Sequence, residues 1–286
     1  MKPGVQPPIG AVRAAVGRAL DEDLTPLGDV TSALLPAGVV GDADFVVRTP
    51  GVLAGVSCAT EAFVQVDSTV VVDWAATDGD EVDAKQVIGH VAGPLASILT
   101  SERTALNFLG HLSGIATFTH ELVVATGGNA VIWDTRKTTP GLRTLEKAAV
   151  RAGGGANHRG NLSDWVLLKD NHLTVLGIEE AVRLARVRWP ARTVHVECDS
   201  LDQVDQALRA GADALLLDNM TPDEVRAAVA LANDTGERRP LLEVSGGITR
   251  ETVRAYAQTG ADCISIGAIT NSAPVLDIGL DIEVSP

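Results

Sequence analysis

Residues 134–172 concentrate basic side chains that are suited to binding an anionic ligand. These 39 residues contain seven Lys or Arg against four acidic residues, a formal charge of +3, whereas the whole chain carries −14. A cationic segment in an acidic protein favours a bound polyanion as its explanation. The alternative is a solvated basic helix, because Arg143, Lys147 and Arg151 recur every four residues. A solvated helix does not account for the TRK and NHR motifs, or for Lys169 directly after an apolar run.

Six short apolar runs lead into the residues that could carry this chemistry. The runs cover residues 130–133, 165–168, 193–196, 214–217, 241–244 and 263–266. The first residues after them are Asp134, Lys169, Glu197, Asp218, Ser245 and Gly267. Apolar runs that alternate with helical patterns predict buried parallel strands, in a barrel or in a doubly wound sheet. Because a barrel brings the carboxyl ends of its strands to one rim, we predict an α/β barrel, incomplete since only six strands are visible.

Sequence signals also mark the start of two helices between these strands. Ser200 with Gln203, and Thr221 with Glu224, each have the spacing of a capping box. Pro222 would occupy the first position of the second helix. No GxGxxG motif follows a strand, which argues against a dinucleotide-binding fold.

The first third of the chain has a different pattern. Residues 42–92 contain four strand-like runs, DADFVVR, GVLAGV, STVVVDW and QVIGHVA, separated by turns. This pattern predicts a small β-rich domain, preceded by a docking helix near residues 9–20. A long helix is predicted over residues 102–125, because apolar side chains recur along one side of it. We interpret the small domain as a structural lid or a dimer scaffold.

Composition narrows the classes of function. Aromatic residues make up only 3% of the chain, which argues against a stacking platform for single-stranded nucleic acid. The net charge of −14 argues against DNA or RNA as the main partner. No apolar run approaches the ~20 residues of a membrane span. Three well-separated cysteines and a proline-rich start without a signal-like core predict a reduced, cytoplasmic protein.

Small residues after the last two predicted strands favour a phosphate site. Ser245, Gly246 and Gly247 follow one strand, and Gly267 with Ala268 follows the last. Residues without bulky side chains let backbone N–H groups approach a phosphate at a helix N-terminus, as in many barrel enzymes. Glycine pairs are common in loops of no function, so the prediction depends on their position at the barrel rim.

Two carboxylates end neighbouring predicted strands. Glu197 and Asp218 could hold sugar hydroxyls directly, or a Mg²⁺ ion that itself binds diphosphate oxygens. The structural alternative is a helix N-cap role for Asp218 and an ion pair of Glu197 with Lys169.

The basic side chains divide into two chemical kinds. Arg136 and Arg159 could form a bidentate clamp for planar carboxylates, whereas Lys137 and Lys169 offer point charges for phosphate. His158 is either a ligand contact or a packed, hydrogen-bonded ring. Together these groups suit a ligand with a 5-phosphate, vicinal hydroxyls, a diphosphate and carboxylates.

These residues stand in motifs that resemble one family closely. The chain is similar to quinolinate phosphoribosyltransferase, also called nicotinate-nucleotide pyrophosphorylase (carboxylating), in DTRKTTPGLR, GGGANHR, LLKDNH, EVSGGI and IGAIT. Nearer the N-terminus, GDVTSALLP and LTSERTALNFLGHLSGIAT match it too. The resemblance covers residues 28–279, and DTRKT with NHR at this spacing is highly specific.

The resemblance implies an architecture and an assembly. It implies an N-terminal α/β sandwich over residues 1–112 and an open, about seven-stranded α/β barrel over residues 113–272, of the type II phosphoribosyltransferase kind. The C-terminal tail, residues 273–286, is expected to pack back on the sandwich. A homodimer is implied, in which the sandwich of one subunit covers the barrel mouth of its partner, and a higher oligomer such as a hexamer remains open.

The resemblance also implies a reaction and its residues. Quinolinate and phosphoribosyl diphosphate would give nicotinate mononucleotide, diphosphate and CO2, with Mg²⁺, in the de novo synthesis of NAD. The implied catalytic residues are Lys137, Lys169, Glu197 and Asp218. The implied contacts to the quinolinate carboxylates are Arg136, His158, Arg159, Lys169 and, from the neighbouring subunit, Arg103, with Thr135 and Lys137 beside them. The implied contacts to the ribose hydroxyls are Glu197 and Asp218, and those to the 5-phosphate are Ser245, Gly246, Gly247, Ile266, Gly267 and Ala268.

Three other functions compete with this one. A related phosphoribosyltransferase acting on a monocarboxylate such as nicotinate would not need Arg103, Arg136, Arg159 and Lys169 together. A non-catalytic phosphosugar-binding protein would keep the SGG and IGA motifs but has no need for a carboxylate pair beside an arginine clamp. A phosphate-binding isomerase barrel would need a general base, and no such pattern accompanies the clamp.

One position departs from the family pattern and generates a prediction. Four residues past Gly267 the family commonly carries a basic residue, often His, whereas this chain has Asn271. We expect weaker or re-routed binding of phosphoribosyl diphosphate rather than loss of activity, because a cation near the phosphate is missing. The variant Asn271→His should lower the KM for phosphoribosyl diphosphate by up to about tenfold in steady-state kinetics. An unchanged KM would count against a phosphate contact at this corner.

Overall fold

The computed structural model describes residues 5–234 and 239–285 of the chain. These fall into two compact units. The first comprises Met1–His120, Thr138–Gly154 and Ala268–Pro286, and the second comprises Glu121–Lys137 and Gly155–Gly267. The division into domains at residues 1–112 and 113–272 stays a prediction.

The described residues form the following regular elements. The helices are α1 (Ile9–Leu24), α2 (Val56–Val66), α3 (Leu95–Thr126), α4 (Arg143–Ala152), α5 (Asp170–Leu176), α6 (Ile178–Arg188), α7 (Leu201–Arg209), α8 (Pro222–Asn233), α9 (Val253–Ala257) and α10 (Ala268–Asn271). The strands are β1 (Val40–Val47), β2 (Gly51–Val52), β3 (Val71–Trp74), β4 (Glu81–Val82), β5 (Val87–Pro94), β6 (Val131–Trp133), β7 (Val166–Leu168), β8 (Val194–Cys198), β9 (Ala214–Asp218), β10 (Leu241–Ser245), β11 (Cys263–Ser265) and β12 (Ile278–Ser285). Among the described residues, no helix is long and apolar enough to cross a membrane.

The first unit is built on a four-stranded antiparallel sheet with the order β12-β1-β5-β3. The ring of Phe45 on β1 is fully buried, stacks on Trp74 at 4.7 Å and meets Phe63 of α2 edge-on at 6.0 Å. Strand β12 comes from the C-terminal part of the chain and pairs with β1 in register, Phe45 opposite Leu280. The strands predicted at DADFVVR, STVVVDW and QVIGHVA are confirmed.

The strand predicted at residues 51–56 is wrong beyond its first two residues. Strand β2 ends at Val52, and Gly55, at φ +96°, turns the chain into helix α2. Glycine adopts this left-handed conformation without steric cost, so the turn can be tight. The sequence then buries Cys58, Ala59, Ala62 and Phe63, the spacing of one helical face, which a period-two pattern does not detect.

The docking helix and the long helix are confirmed with extended bounds. Helix α1 continues to Leu24, and α3 starts at Leu95 rather than at residue 102. The backbone N–H of Leu95 bonds to Val39 O as β5 ends, so the chain passes from strand to helix without a loop. Leu95 and Ile98 are buried and give this first turn its own apolar anchor.

The second unit contains a six-stranded parallel sheet with the order β6-β11-β10-β9-β8-β7. All six predicted strands are present, with bounds that differ from the prediction by at most two residues. A single-residue parallel bridge between Trp133 and Ala156 continues the sheet beyond β6. With helices between its strands and the antiparallel sheet in the other unit, this sheet confirms the predicted fold class.

The two predicted capping boxes have different outcomes. Thr221 and Glu224 form the reciprocal bonds of a capping box, and Pro222 is the first residue of α8, as predicted. Ser200 precedes α7, but its side chain makes no capping bond, so that box is wrong. The Gln203 side chain accepts instead from the backbone N–H of Asp199, one residue earlier, which satisfies a different donor of the same turn.

The glycines of α3 generate a prediction on stability. Residues 274–276 cross this helix so closely that a Cβ on Gly114 would lie 2.0 Å from Pro274 O. We expect Gly114→Ala to lower the free energy of unfolding by about 1–3 kcal/mol in urea titrations, because backbone must move. Gly10 of α1 is the matched control, since a Cβ there meets nothing within 4 Å. Gly10→Ala should leave stability unchanged or raise it by up to about 1 kcal/mol, and equal effects at both sites would contradict this packing.

Candidate active site

The carboxylate of Asp134 joins the two motifs that carry the predicted arginines. Asp134 directly follows β6, is fully buried, and accepts hydrogen bonds from the backbone N–H of His158 at 2.9 Å and from Asn157 Nδ2 at 2.7 Å. Because Arg136 lies two residues after Asp134, and Arg159 directly follows His158, this bond network brings both guanidinium groups to the same rim. The DTRK and NHR motifs therefore act as one structural feature.

Two of the predicted carboxylate-binding residues are buried at this rim. The residues His158 and Arg159 are each only 7% exposed, and Arg136 is partly buried. Burial and the neighbouring charge of Arg136 lower the pKa of Arg159 from its usual range, while Asp164 and Glu243 oppose that shift. Like charges held together in this way create a local positive potential that favours an anion.

Aromatic rings fix the plane of the His158 imidazole. Trp165 meets it edge-on at 4.9 Å between ring centroids, and Trp133 does so at 5.6 Å. Trp165 also stacks on His195, at 5.1 Å between ring centroids and with an interplanar angle of 21°. These contacts restrict rotation of the imidazole, so its direction is set before any ligand binds.

A second buried carboxylate lies under the same imidazole. Glu243 of β10 is fully buried, and its Oε2 lies 3.3 Å from His158 Nε2. His195 of β8 is also near, and burial lowers its pKa to about 4, so its imidazole is neutral at pH 7. The donor atoms of these three residues lie within 4.8 Å of one another, a spacing that a metal ion could use. The guanidinium of Arg159 beside them disfavours a bound cation, so the arrangement fits an ion pair better.

Glu197 and Asp218 lie at the carboxyl ends of neighbouring strands, as predicted. Strand β8 extends to Cys198, so Glu197 belongs to the strand itself, and β8 pairs with β9, which ends at Asp218. Lys169 Nζ donates to Glu197 Oε2, which is the ion pair proposed as the structural alternative for Glu197. Burial and then the charge of Glu197 raise the pKa of Asp218, while Lys169 lowers it. The two acids therefore interact with the same lysine.

The predicted phosphate loops contain two residues in left-handed conformation. Gly246 has φ +99° and Gly247 has φ +60°. A Cβ on Gly246 would lie 2.2 Å from Asn219 Oδ1, so only glycine allows this approach. The backbone N–H of Asn219 donates to Ser245 O at 2.9 Å, which ties the end of β9 to this loop.

Lys137 lies against the other glycine loop. A Cβ on Gly267 would be 2.8 Å from Lys137 Cδ, so the lysine stem crosses the loop after β11. The backbone N–H of Lys137 is held by Thr135 Oγ1 at 3.0 Å, and Ile266 N donates to Trp133 O. The Lys137 ammonium is therefore carried over the predicted phosphate subsite.

Two predicted contacts belong to the first unit. Arg103 is exposed on α3, and Ala268 is the first residue of α10. Their positions relative to the remaining groups stay predictions. Asn271 ends α10, and its side-chain oxygen accepts from Ser272 Oγ at 2.6 Å.

Sequence reasoning missed a layer of residues beneath the rim. Its polar members are His195 and Glu243, and its aromatic members are Trp133 and Trp165. His195 and Glu243 each lie two positions before a predicted site residue, Glu197 or Ser245, and a strand places such residues on one face. A polar residue inside an otherwise apolar strand was the available signal.

The fold and the site define a class of protein. A parallel α/β sheet with glycine loops after two strands, a carboxylate pair and a buried arginine clamp is the site of an enzyme acting on phosphorylated, anionic small molecules. Residues 29–113 match the N-terminal domain of quinolinate phosphoribosyl transferase, and residues 115–281 match its C-terminal domain. The chain belongs to the quinolinate phosphoribosyl transferase family.

Relatives of the chain agree with this assignment. The nicotinate-nucleotide pyrophosphorylase [carboxylating] of Mycobacterium leprae is 42% identical over 280 residues, which cover 95% of this chain and 97% of the relative. The solved structure of the nicotinate-nucleotide pyrophosphorylase from Francisella tularensis is 38% identical, has a TM-score of 0.93, and covers 97% of this chain and 98% of that chain. A human nicotinic acid phosphoribosyltransferase, 13% identical with a TM-score of 0.61, shares the fold alone over 98% of this chain and 74% of that chain.

Proposed function

We propose that this protein transfers phosphoribosyl from phosphoribosyl diphosphate to quinolinate, with decarboxylation, to give nicotinate mononucleotide, diphosphate and CO2. The observation that carries this proposal is the pair of guanidinium groups at the rim, Arg136 and Arg159, whose chain segments are held together by the hydrogen bond from His158 N to Asp134. The family assignment and the names of relatives that share most of the chain support it. The reaction belongs to the de novo synthesis of NAD.

The clamp suits a ligand with two adjacent carboxylates. A guanidinium offers parallel N–H donors that match a planar carboxylate, and two of them, with an imidazole and Lys169, provide enough donors for two carboxylates. Nicotinate has one carboxylate, so it would leave part of this charge uncompensated in a buried site. Specificity for quinolinate therefore follows from the cost of unpaired buried cations.

The sugar phosphate side is supplied by the neighbouring strands. Glu197 and Asp218 are placed to accept hydrogen bonds from the two ribose hydroxyls. The loops at residues 245–247 and 266–268 supply backbone N–H groups for the 5-phosphate. Lys137, which crosses Gly267, is near enough to this loop to serve the substrate or the departing diphosphate.

The chemistry needs orientation and charge more than a nucleophilic side chain. The pyridine nitrogen forms a bond to the anomeric carbon of ribose while the bond from that carbon to the diphosphate oxygen breaks. When both carboxylates are held, the pyridine nitrogen is directed at the anomeric carbon. The bimolecular reaction then becomes an effectively unimolecular step between oriented groups. The ring nitrogen becomes cationic, so the 2-carboxylate leaves as CO2 with its electron pair left on the ring carbon as an ylide. That carbon then takes up one proton.

The carboxylate pair has the donor chemistry that Mg²⁺ prefers. Mg²⁺ usually binds one or two carboxylates together with substrate phosphates. The charge of Glu197 contributes to the raised pKa of Asp218, and a nearby cation would relieve this repulsion. We propose that Glu197 and Asp218 would hold Mg²⁺ together with the diphosphate, and that the ion would supply positive charge to the diphosphate oxygens.

We further propose a homodimer in which Arg103 of one subunit completes the clamp of its partner. Arg103 is exposed on α3. A residue that contacts a neighbouring subunit must be exposed in the isolated subunit, so this position agrees with the proposal. The three cysteines are buried thiols, which suits the reducing conditions of the proposed cytoplasmic location.

The choice of acid tests the proposed function. Purified protein with Mg²⁺ and phosphoribosyl diphosphate should convert quinolinate, and not nicotinate, to nicotinate mononucleotide with one CO2 per product. Product mass and released CO2 are the measurements. Turnover of nicotinate would indicate the monocarboxylate-using relative, and turnover of neither acid would indicate a binding protein.

Mixing two inactive variants tests the shared clamp. Arg103→Ala and Arg136→Ala should each lower kcat/KM for quinolinate by at least about tenfold, because each removes a charged contact. If Arg103 acts across the dimer, a refolded equal mixture should recover about a quarter of wild-type activity, since half of the dimers have one intact site. Arg136→Ala mixed with Arg159→Ala is the matched control, and it should recover nothing because both residues serve the same site. Equal behaviour of the two mixtures would exclude a contribution from the partner.

A further inference from the structure

Glu243 is a fully buried carboxylate that the proposed chemistry does not yet use. It lies in the middle of β10, with Leu216 of β9 and Cys263 of β11 beside it in register. Among the described residues, neither oxygen of its side chain accepts a hydrogen bond, and its ion pair is with His158 Nε2 at 3.3 Å. A buried carboxylate without a compensating charge is strongly disfavoured, so this ion pair is its main stabilising contact.

Several other charged or titratable groups face the same space. Arg159 and Arg136 are the cationic groups of the clamp, and the charge of Arg136 acts on Arg159. Asp134 is a second buried carboxylate, and it accepts a hydrogen bond from the backbone N–H of His158. His195 approaches from β8, with its ring 6.4 Å from that of His158, and burial keeps it neutral at pH 7. Of the two buried carboxylates, Asp134 contacts the backbone of His158 and Glu243 contacts its ring, so Glu243 is the negative group placed to offset a charge on that ring.

The contacts of Glu243 with the two nearby imidazoles differ. The rings of Trp133 and Trp165 hold His158 edge-on, and its Nε2 lies 3.3 Å from the carboxylate. His195 stacks on Trp165, and the charge of Glu243 opposes the burial that lowers the pKa of His195. The ion pair of the carboxylate is therefore with the imidazole that belongs to the clamp.

We propose that Glu243 is a positioning residue for the dicarboxylate substrate, which holds His158 as a charged and oriented imidazolium. An adjacent carboxylate favours the protonated form of an imidazole, and His158 then adds a positive charge where the substrate carboxylates bind. The part that concerns substrate rests on the proposed function, whereas the charge state of His158 does not.

Replacing Glu243 by glutamine should affect quinolinate binding selectively. Glu243→Gln keeps the size of the side chain and removes its charge, so the KM for quinolinate should rise about tenfold or more. The KM for phosphoribosyl diphosphate should stay within about twofold, because the ion pair of Glu243 is with His158, which is proposed to serve the carboxylates of quinolinate. The KM for quinolinate should also begin to rise at lower pH than in the wild type, since the imidazolium has lost its partner. Glu243→Asp, which keeps the charge, should restore most of the wild-type pH profile.

A second buried His–Glu pair provides a matched control. Glu146 of α4 is fully buried and lies 2.9 Å from His111 Nε2 in the first unit. Glu146→Gln makes the same change and should lower the melting temperature, without moving the pH profile of the KM for quinolinate. If both variants move that profile alike, Glu243 has only a structural role.

Two further measurements distinguish the role of Glu243 from a loss of stability in its variants. In the background of His158→Gln, the further change Glu243→Gln should add little, because the two residues act through one contact. NMR titration of the wild-type protein with labelled histidine, assigned with His158→Gln, should show His158 protonated at pH 7. A neutral His158 at pH 7 overturns the inference whether or not quinolinate is turned over. A wild-type protein inactive on quinolinate, with His158 protonated, would overturn only the proposed function.

Discussion

Mutual repulsion of buried positive charges is the constraint on which this site depends. A clamp for two carboxylates must hold its cations close together before the ligand arrives, where water screens them poorly. Burial, and then the charge of Arg136, lowers the pKa of Arg159. The fold offsets this repulsion with carboxylates from other elements, Asp134 at the backbone of His158 and Glu243 at its ring. A strongly acidic protein can therefore contain a cationic island, because acids placed beneath the cations keep them together.

The period of the strands arranges these opposing charges in two layers. Successive inward side chains on a strand lie two residues apart, so each strand contributes one group to the rim and one beneath it. On β8 these are Glu197 and His195, and on β10 they are Ser245 and Glu243. The upper layer is placed to contact substrate, and the lower layer sets the direction and charge of what lies above. Substitutions in the lower layer are therefore expected to alter substrate binding, although the substituted residues do not themselves contact the substrate.

The residues of the upper layer were predictable from the sequence, whereas those of the lower layer were not, and the difference has a physical reason. Parallel strands end at one rim, so the residue after each apolar run is a site candidate whatever the details of packing. His195 and Glu243 lie inside runs that were treated as apolar, and a buried polar residue there needs a partner that only the fold reveals. The helix α2 was missed for a related reason, since its short apolar pattern resembles a strand until Gly55 turns the chain. The bonds of Gln203 depended on local backbone geometry, which spacing alone does not fix.

The contrast between His158 and His195 shows how one buried acid can serve one of two nearby histidines. Both rings contact Trp165, and both side chains are almost fully buried. Burial lowers the pKa of His195 to about 4, so its imidazole is neutral at pH 7, and the charge of Glu243 opposes that shift. Glu243 nevertheless makes its ion pair with His158, at 3.3 Å. In the role proposed for Glu243, its negative charge therefore supports the ring at the clamp, where the carboxylates of an incoming dicarboxylate would lie, and not the ring of His195.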